Sequence, residues 1–188
     1  MTSSLSVVVA TTGRPQIVAR LLDALARQTR APDHVYVVGA CETDISEVGV
    51  RANVTAFVGR RGSCTQRNDG LDAGAARSDV IVFLDDDFAP SRFWLERVER
   101  LFATRPEIVG VTGHVLADGA KTAGVAADEA WAMVEARDAA PQQETDRFEV
   151  DAEPFGYGCN SAYRGAVAGV LRFDERLPGY GWLEDRDY

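Results

Sequence analysis

Three consecutive aspartates, Asp85, Asp86 and Asp87, follow directly on the apolar run Val80 to Leu84. Carboxylates crowded at the end of a buried strand repel one another, and a hard divalent cation relieves that repulsion. Mg2+ or Mn2+ suits such a place, because these ions take oxygen ligands, keep several waters and bridge one or two carboxylates to substrate phosphates. An isolated acidic triplet is more often a charged turn capping the next helix, here the one opening at Pro90. The strand in front of it decides between the two, since it sets the carboxylates at a buried rim.

The elements that must position the triplet follow from the apolar pattern. Leu5 to Ala10 is a short β-branched strand, followed by the loop Thr11-Thr12-Gly13 and a helix from about Pro15 to Gln28 that opens with proline. Ile17, Val18, Leu21, Leu22 and Leu25 recur at helical spacing, so one face packs on a sheet while Arg20, Asp23 and Arg27 stay wet. His34 to Val38 is the second strand, which makes a βαβ opening with parallel strands and a right-handed crossover. A strand at Val54 to Val58, a glycine-punctuated loop at Gly59 to Gly62 and a helix from about Cys64 to Ala76 precede Val80 to Leu84. That last strand is apolar throughout, as expected when both faces are covered. In open α/β sheets ligands bind beyond the carboxyl ends of the strands, which is where the triplet falls. Pro90 to Thr104 is predicted as a helix with Trp94, Val98, Leu101 and Phe102 inward, Ile108 to Leu116 as a strand, and Ala127 to Arg137 as a further helix.

Composition bounds the partners. A chain of 188 residues with 46% apolar side chains suffices for one sizeable core, and a net charge of -9 argues against nucleic acid, whose phosphates are gripped by surplus Lys and Arg. A phosphate bound here calls for a metal. Cys41, Cys64 and Cys159 have neither disulfide nor zinc spacing, which fits a reduced, cytoplasmic setting. The apolar run Val7 to Ala10 is too short for a secretory signal or a membrane span, and no transmembrane segment is expected. Work on a lipid-linked acceptor at the inner face of a membrane stays open. His114 is expected as a core residue of its strand and His34 as a solvated strand start. Trp94, Trp131 and Trp182 are expected to pack, Trp182 with the option of stacking on a sugar, and Arg60-Arg61 is expected as a wet loop.

Five segments together resemble the inverting glycosyltransferase family 2. They are VVVATTGRP at Val7 to Pro15, CTQRNDGLDAG at Cys64 to Gly74, VIVFLDDD at Val80 to Asp87, FGYGCNSAYR at Phe155 to Arg164 and GWLEDRDY at Gly181 to Tyr188. They run in order along the whole chain, and jointly they are far more specific than any one of them. The resemblance implies a GT-A fold, a Rossmann-like and mostly parallel α/β sheet with helices on both faces. It implies a nucleotide-sugar donor, a hydroxyl-bearing acceptor that is a glycan, a lipid-linked glycan or a small molecule, and a Mg2+ or Mn2+ ion. Ala10, Thr11 and Arg14 match the nucleotide-binding edge, and Arg67 with Asn68 matches the Arg-Asn pair under the donor. Asp87 is implied as the direct metal ligand and Asp85 as facing the ribose or metal waters, with Asp86 between them. Asp185 matches the general base and Glu184 its orienting partner. One carboxylate suffices for such a reaction, because it takes the acceptor proton as the oxygen attacks opposite the leaving diphosphate. A glycosidase needs two that flank the bond.

The chain departs from the family pattern in two places. An aspartate usually follows the second strand to hold the nucleotide base, and here Gly39 and Ala40 stand there with Glu42 or Asp44 nearby as substitutes. Family members also continue past the Glu-Asp motif. The chain is therefore expected to be a truncated single GT-A domain, with a donor-binding half at about 1–116 and an acceptor-side half at about 117–188. Two other readings compete. The abrupt ending favours a non-catalytic nucleotide- or glycan-binding remnant. A sugar-nucleotide pyrophosphorylase also uses metal-bound aspartates, but it opens with a glycine-rich basic loop, which ATTGRP hardly supplies.

Overall fold

The computed structural model describes residues 3–119, 124–140 and 158–177. Six strands form one sheet in the order β3-β2-β1-β4-β6-β5. β1 (Leu5–Thr11), β2 (His34–Gly39), β3 (Val54–Val58) and β4 (Val80–Asp85) are mutually parallel, as the crossover helices between them require. The chain steps outward from β1 to β3 and then returns to lay β4 on the other side of β1. The carboxyl ends of β1 and β4 therefore flank the switch point where such sheets bind ligands.

Strand parity assigns each face its helices. Leu5, Val7 and Val9 of β1 and Val80, Val82 and Leu84 of β4 pack in one cluster with Val18, Leu21, Leu22 and Leu25 of α1 (Pro15–Ala26). Leu95, Val98 and Phe102 of α3 (Trp94–Thr104) join the same cluster. Val8, Ile81 and Phe83 point the other way, against Cys64 and Leu71 of α2 (Ser63–Ala73) and Ala168 of α5 (Gly165–Ala168). Helices thus cover both faces, and the central strands are apolar from Val7 to Val9 and from Val80 to Leu84, with Ser6 and Thr11 as buried polar positions of β1. α4 (Ala127–Ala139) rests on α1 through Arg20, which pairs with Asp128 at 2.6 Å and stacks over Trp131 at 5.0 Å.

Two expectations are corrected. The strand anticipated over Ile108 to Leu116 is only β5 (Gly110–Thr112), and His114 lies beyond it, exposed instead of in the core. Its neighbour is β6 (Asn160–Arg164), antiparallel to both β4 and β5, in a stretch whose sequence carries no strand periodicity. Buried Asn160 and Ser161 fill two of its positions, so only pairing with β4, from a partner about 80 residues away in sequence, makes it a strand.

Gly70 brings α2 close to the sheet. A Cβ there would lie 2.6 Å from Cγ1 of Val8, which is fully buried. Gly70→Ala is therefore expected to destabilise the fold by about 1–3 kcal/mol through overpacking, against the gain that the same change gives in an open helix. Urea unfolding of the variant against wild type checks the sign.

Candidate donor site

The alternation that sorts the core also distributes the three carboxylates. Asp85 ends β4 on the face of Ile81 and Phe83, toward α2, and there it accepts a hydrogen bond from Arg67 Nη2 at 2.8 Å. Asp86 falls toward α1. Its Oδ2 accepts from Thr11 Oγ1 at 2.8 Å and its Oδ1 from Arg14 Nη1 at 2.9 Å. The same Arg14 nitrogen pairs with Asp87. Asp86 is only 7% exposed, whereas the side chains of Asp85 and Asp87 are 43% and 53% exposed. Burial raises the Asp86 pKa. The bond from Thr11 and the charge of Arg14 pull it down without cancelling that effect, and Asp87 and Asp85 push it further up.

α2 has no apolar stripe, and its buried face is largely polar: Gln66, Arg67 and Asn68 are each 2–3% exposed. Gln66 Nε2 donates to the carbonyl oxygens of Thr11 (2.8 Å) and Val38 (2.7 Å), which ties together the ends of β1 and β2. Arg67 also donates to the Gly158 carbonyl at 3.1 Å and lies 5.2 Å from the centre of the Phe173 ring. Asn68 makes a reciprocal pair with the Phe173 backbone, donating to its carbonyl and accepting from its N–H, both at 3.0 Å. It donates at 2.9 Å to Glu175 as well, which Arg60 holds together with Asp69. Arg60 stays on an exposed loop, as expected, and there it pairs with both Asp69 and Glu175. Asn68 fastens the segment that runs on from Phe173.

Behind β2 the backbone of Gly39 leaves room for Asp44, whose carboxylate accepts from the N–H groups of Gly13 (2.7 Å), Ala40 (2.9 Å) and Cys41 (3.0 Å). Burial pushes the Asp44 pKa up, but the bonds from Gly13, the Cys41 side chain and the Ala40 and Cys41 amides outweigh it and leave it lowered. Asp44 is therefore consumed in shaping the loop. Glu42 is the exposed carboxylate at this edge. Across β4, Cys159 is half-buried beside Asp85, and its partial burial first and that charge second push its thiol up to about 12. Such a thiol is no nucleophile at neutral pH.

The structure thus brings Ala10, Thr11, Arg14, Arg67 and the triplet to one place, with Ala10 directly opposite Asp85 in the ladder. Glu184, Asp185 and Trp182 lie outside the described residues, as do the first three residues, 155–157, of the FGYGCNSAYR segment. Sequence reasoning missed Gln66, although a helix with polar residues and no apolar face was its signal. A cavity of about 220 Å³ opens beside Asp86 and Asp87, walled by Ile17, Phe88 and Trp131. Among the described residues no three His, Cys, Asp or Glu side chains form a preformed cation cage. Asp85 and Asp87 nonetheless fit Mg2+ or Mn2+, which need only one or two carboxylates alongside phosphate and water oxygens.

The family described as Glycosyl transferase family 2 matches residues 6–170. The fold resembles the S. aureus TarS 1–349 structure, at 18% identity and a TM-score of 0.64 over 97% of this chain and 53% of that one. It resembles the mannosyltransferase PcManGT of Pyrobaculum calidifontis, solved with GDP-Man and Mn2+, at 19% identity and a TM-score of 0.57 over 87% of this chain and 45% of that one. It also resembles glucosyl-3-phosphoglycerate synthase of Mycobacterium tuberculosis, solved with Mn2+, UDP and phosphoglyceric acid. Identity there is 18%, with a TM-score of 0.57 over 95% of this chain and 61% of that one. No curated protein matches the sequence. The chain spans about half the length of these solved relatives.

Two outcomes test the site. A raised pKa means that the folded chain holds the Asp86 proton more tightly than the unfolded chain does. Ionising Asp86 therefore costs stability, fully so above its folded pKa and not at all below its unfolded one. Asp86→Asn is expected to melt higher than wild type at about pH 8, with the gap closing toward about pH 4; thermal unfolding across that range checks it. Asn68→Ala strands the N–H and C=O of Phe173 in a buried place and is expected to cost about 3 kcal/mol, measured by chemical denaturation.

Proposed function

Because the chain belongs to glycosyl transferase family 2, we propose that it binds a nucleoside-diphosphate sugar at the carboxyl ends of β1 and β4 and passes the sugar to a hydroxyl acceptor. The observation that carries this reading is the triplet at the switch point, with two of its carboxylates outward and two arginines beside it. Asp87 is the direct ligand of Mg2+ or Mn2+ in this reading, and Asp85 faces the ribose or the waters of the ion. A divalent ion held there neutralises the charge that develops on the departing diphosphate.

The remaining tasks fall to the chain itself. Thr11 and Arg14 hold Asp86 in place, Ala10 and Thr11 form the edge on which the nucleotide lies, and Glu42 is the carboxylate available to its base. Arg67 orients Asp85 from below through a buried guanidinium. Asp185 takes the acceptor proton while that oxygen attacks the anomeric carbon from the face opposite the diphosphate, which inverts the configuration, and Glu184 orients it. Those last two roles rest on the family resemblance of the Glu-Asp motif. No described helix is long and apolar enough to cross a membrane.

A thermal-shift panel of UDP, GDP, dTDP, CDP and ADP, each with and without Mn2+, tests the donor site. One nucleotide is expected to stabilise by roughly 2.7 kcal/mol at about 100 times its dissociation constant, with the shift lost on chelation and in Asp87→Ala. Asp185→Ala is expected to keep the shift and lose transfer from the matching nucleotide sugar. A normal metal-dependent shift in Asp87→Ala would overturn the ligand assignment.

A further inference from the structure

The two arginines beside the triplet are held differently. Arg67 is 2% exposed and fixed by Asp85, the Gly158 carbonyl and the Phe173 ring. Arg14 stands at the start of α1 with a side chain 47% exposed, and a single nitrogen of its guanidinium serves both Asp86 and Asp87. Asp86 has both oxygens engaged, by Thr11 and Arg14, and it is buried, so it cannot turn away. Asp87 is half exposed and can.

We propose that Arg14 is an exchangeable counter-ion of the donor site, holding Asp87 until a divalent cation arrives together with a diphosphate. The proposal rests on the donor-site reading above and adds how that site is regulated. A cation held by Asp87 would share that carboxylate's surroundings with the guanidinium, and the repulsion between them would oppose binding of the metal alone. The negative oxygens of a nucleoside diphosphate, entering between them, give the ion further ligands and give the guanidinium a new planar partner, for which arginine is well shaped. Metal and diphosphate then favour each other's binding through this one side chain. The Arg14–Asp86 pair persists throughout and keeps the guanidinium near the site.

The sign of one substitution separates this role from a purely structural one. Mn2+ binding is measured by the loss of its free electron paramagnetic resonance signal, for wild type, Arg14→Gln and Arg14→Lys, alone and with UDP or GDP. Arg14→Gln is expected to bind Mn2+ alone about tenfold more tightly, the size of a divalent-to-monovalent repulsion across a few ångströms of water-like dielectric. It is expected to bind the nucleotide at saturating Mn2+ about tenfold more weakly, as loss of one charged contact to phosphate implies. Arg14→Lys keeps the charge and is expected to resemble wild type toward Mn2+ alone. A cooperatively folded Arg14→Gln that binds Mn2+ alone no more tightly than wild type overturns the proposal.

If Arg14→Gln does not fold, wild type labelled with 15N-arginine decides. The Arg14 Nε–H resonance is expected to move with Mg2+ plus UDP or GDP and not with Mg2+ alone, and a signal unmoved at saturation overturns the proposal. Absence of nucleotide binding in wild type would overturn the donor-site reading instead, and the counter-ion role would then be judged on the Mn2+-alone comparison.

Discussion

A carboxylate kept almost out of water is the constraint around which this site is built. Asp86 follows the central strand β4 at 7% exposure, where an unpartnered charge would cost several kcal/mol. Its neighbours are arranged to meet that cost. Thr11 at the end of β1 gives one hydrogen bond and Arg14 at the start of α1 gives another, so the first strand, its loop and its helix are all registered against β4 by one side chain. The compensation is incomplete, since burial still raises the Asp86 pKa. Stability is spent on holding a carboxylate at the switch point of the sheet, a trade common at functional sites.

The second organising feature is a helix buried by its polar residues. α2 contributes Gln66, Arg67 and Asn68 to the interior, and each reaches a different part of the chain: the ends of β1 and β2, the triplet with Gly158, and the Phe173 backbone. Hydrogen bonds have strict geometry, so such a helix fixes position more tightly than an apolar face of equal area would. Gly70 is what lets it sit that close, against Val8 of β1. Phe173 packs edge-on against Phe83 at 5.0 Å, so the core strand β4, the polar helix and the segment leaving toward residue 177 meet at one ring.

The solved relatives share this fold at identities of 18–19%. At that distance the strand order and layering persist because they follow from alternating apolar residues, which many sequences satisfy. Chemistry resides in the few polar side chains at the strand ends, and a scaffold alone does not name a substrate.

The sequence by itself determined the parallel half of the sheet and the place of the triplet. Val7 to Val9 and Val80 to Leu84 are apolar at every step, α1 carries a regular apolar stripe, and both patterns are local, so periodicity suffices to read them. Family membership was legible too, because several short motifs in fixed order carry more information than any pattern of hydrophobicity. Only the tertiary structure decided which way each aspartate points, that Arg14 spans two of them, that Asp44 is consumed by backbone amides, and that Asn68 holds the Phe173 backbone. It alone made a strand of Asn160–Arg164. Apart from the Ala40 and Cys41 amides on Asp44 and Arg67 on Asp85, these are contacts between residues about 30 to more than 100 positions apart, set by how strands and helices stack, and no local pattern records the partner that a polar side chain will find across the fold.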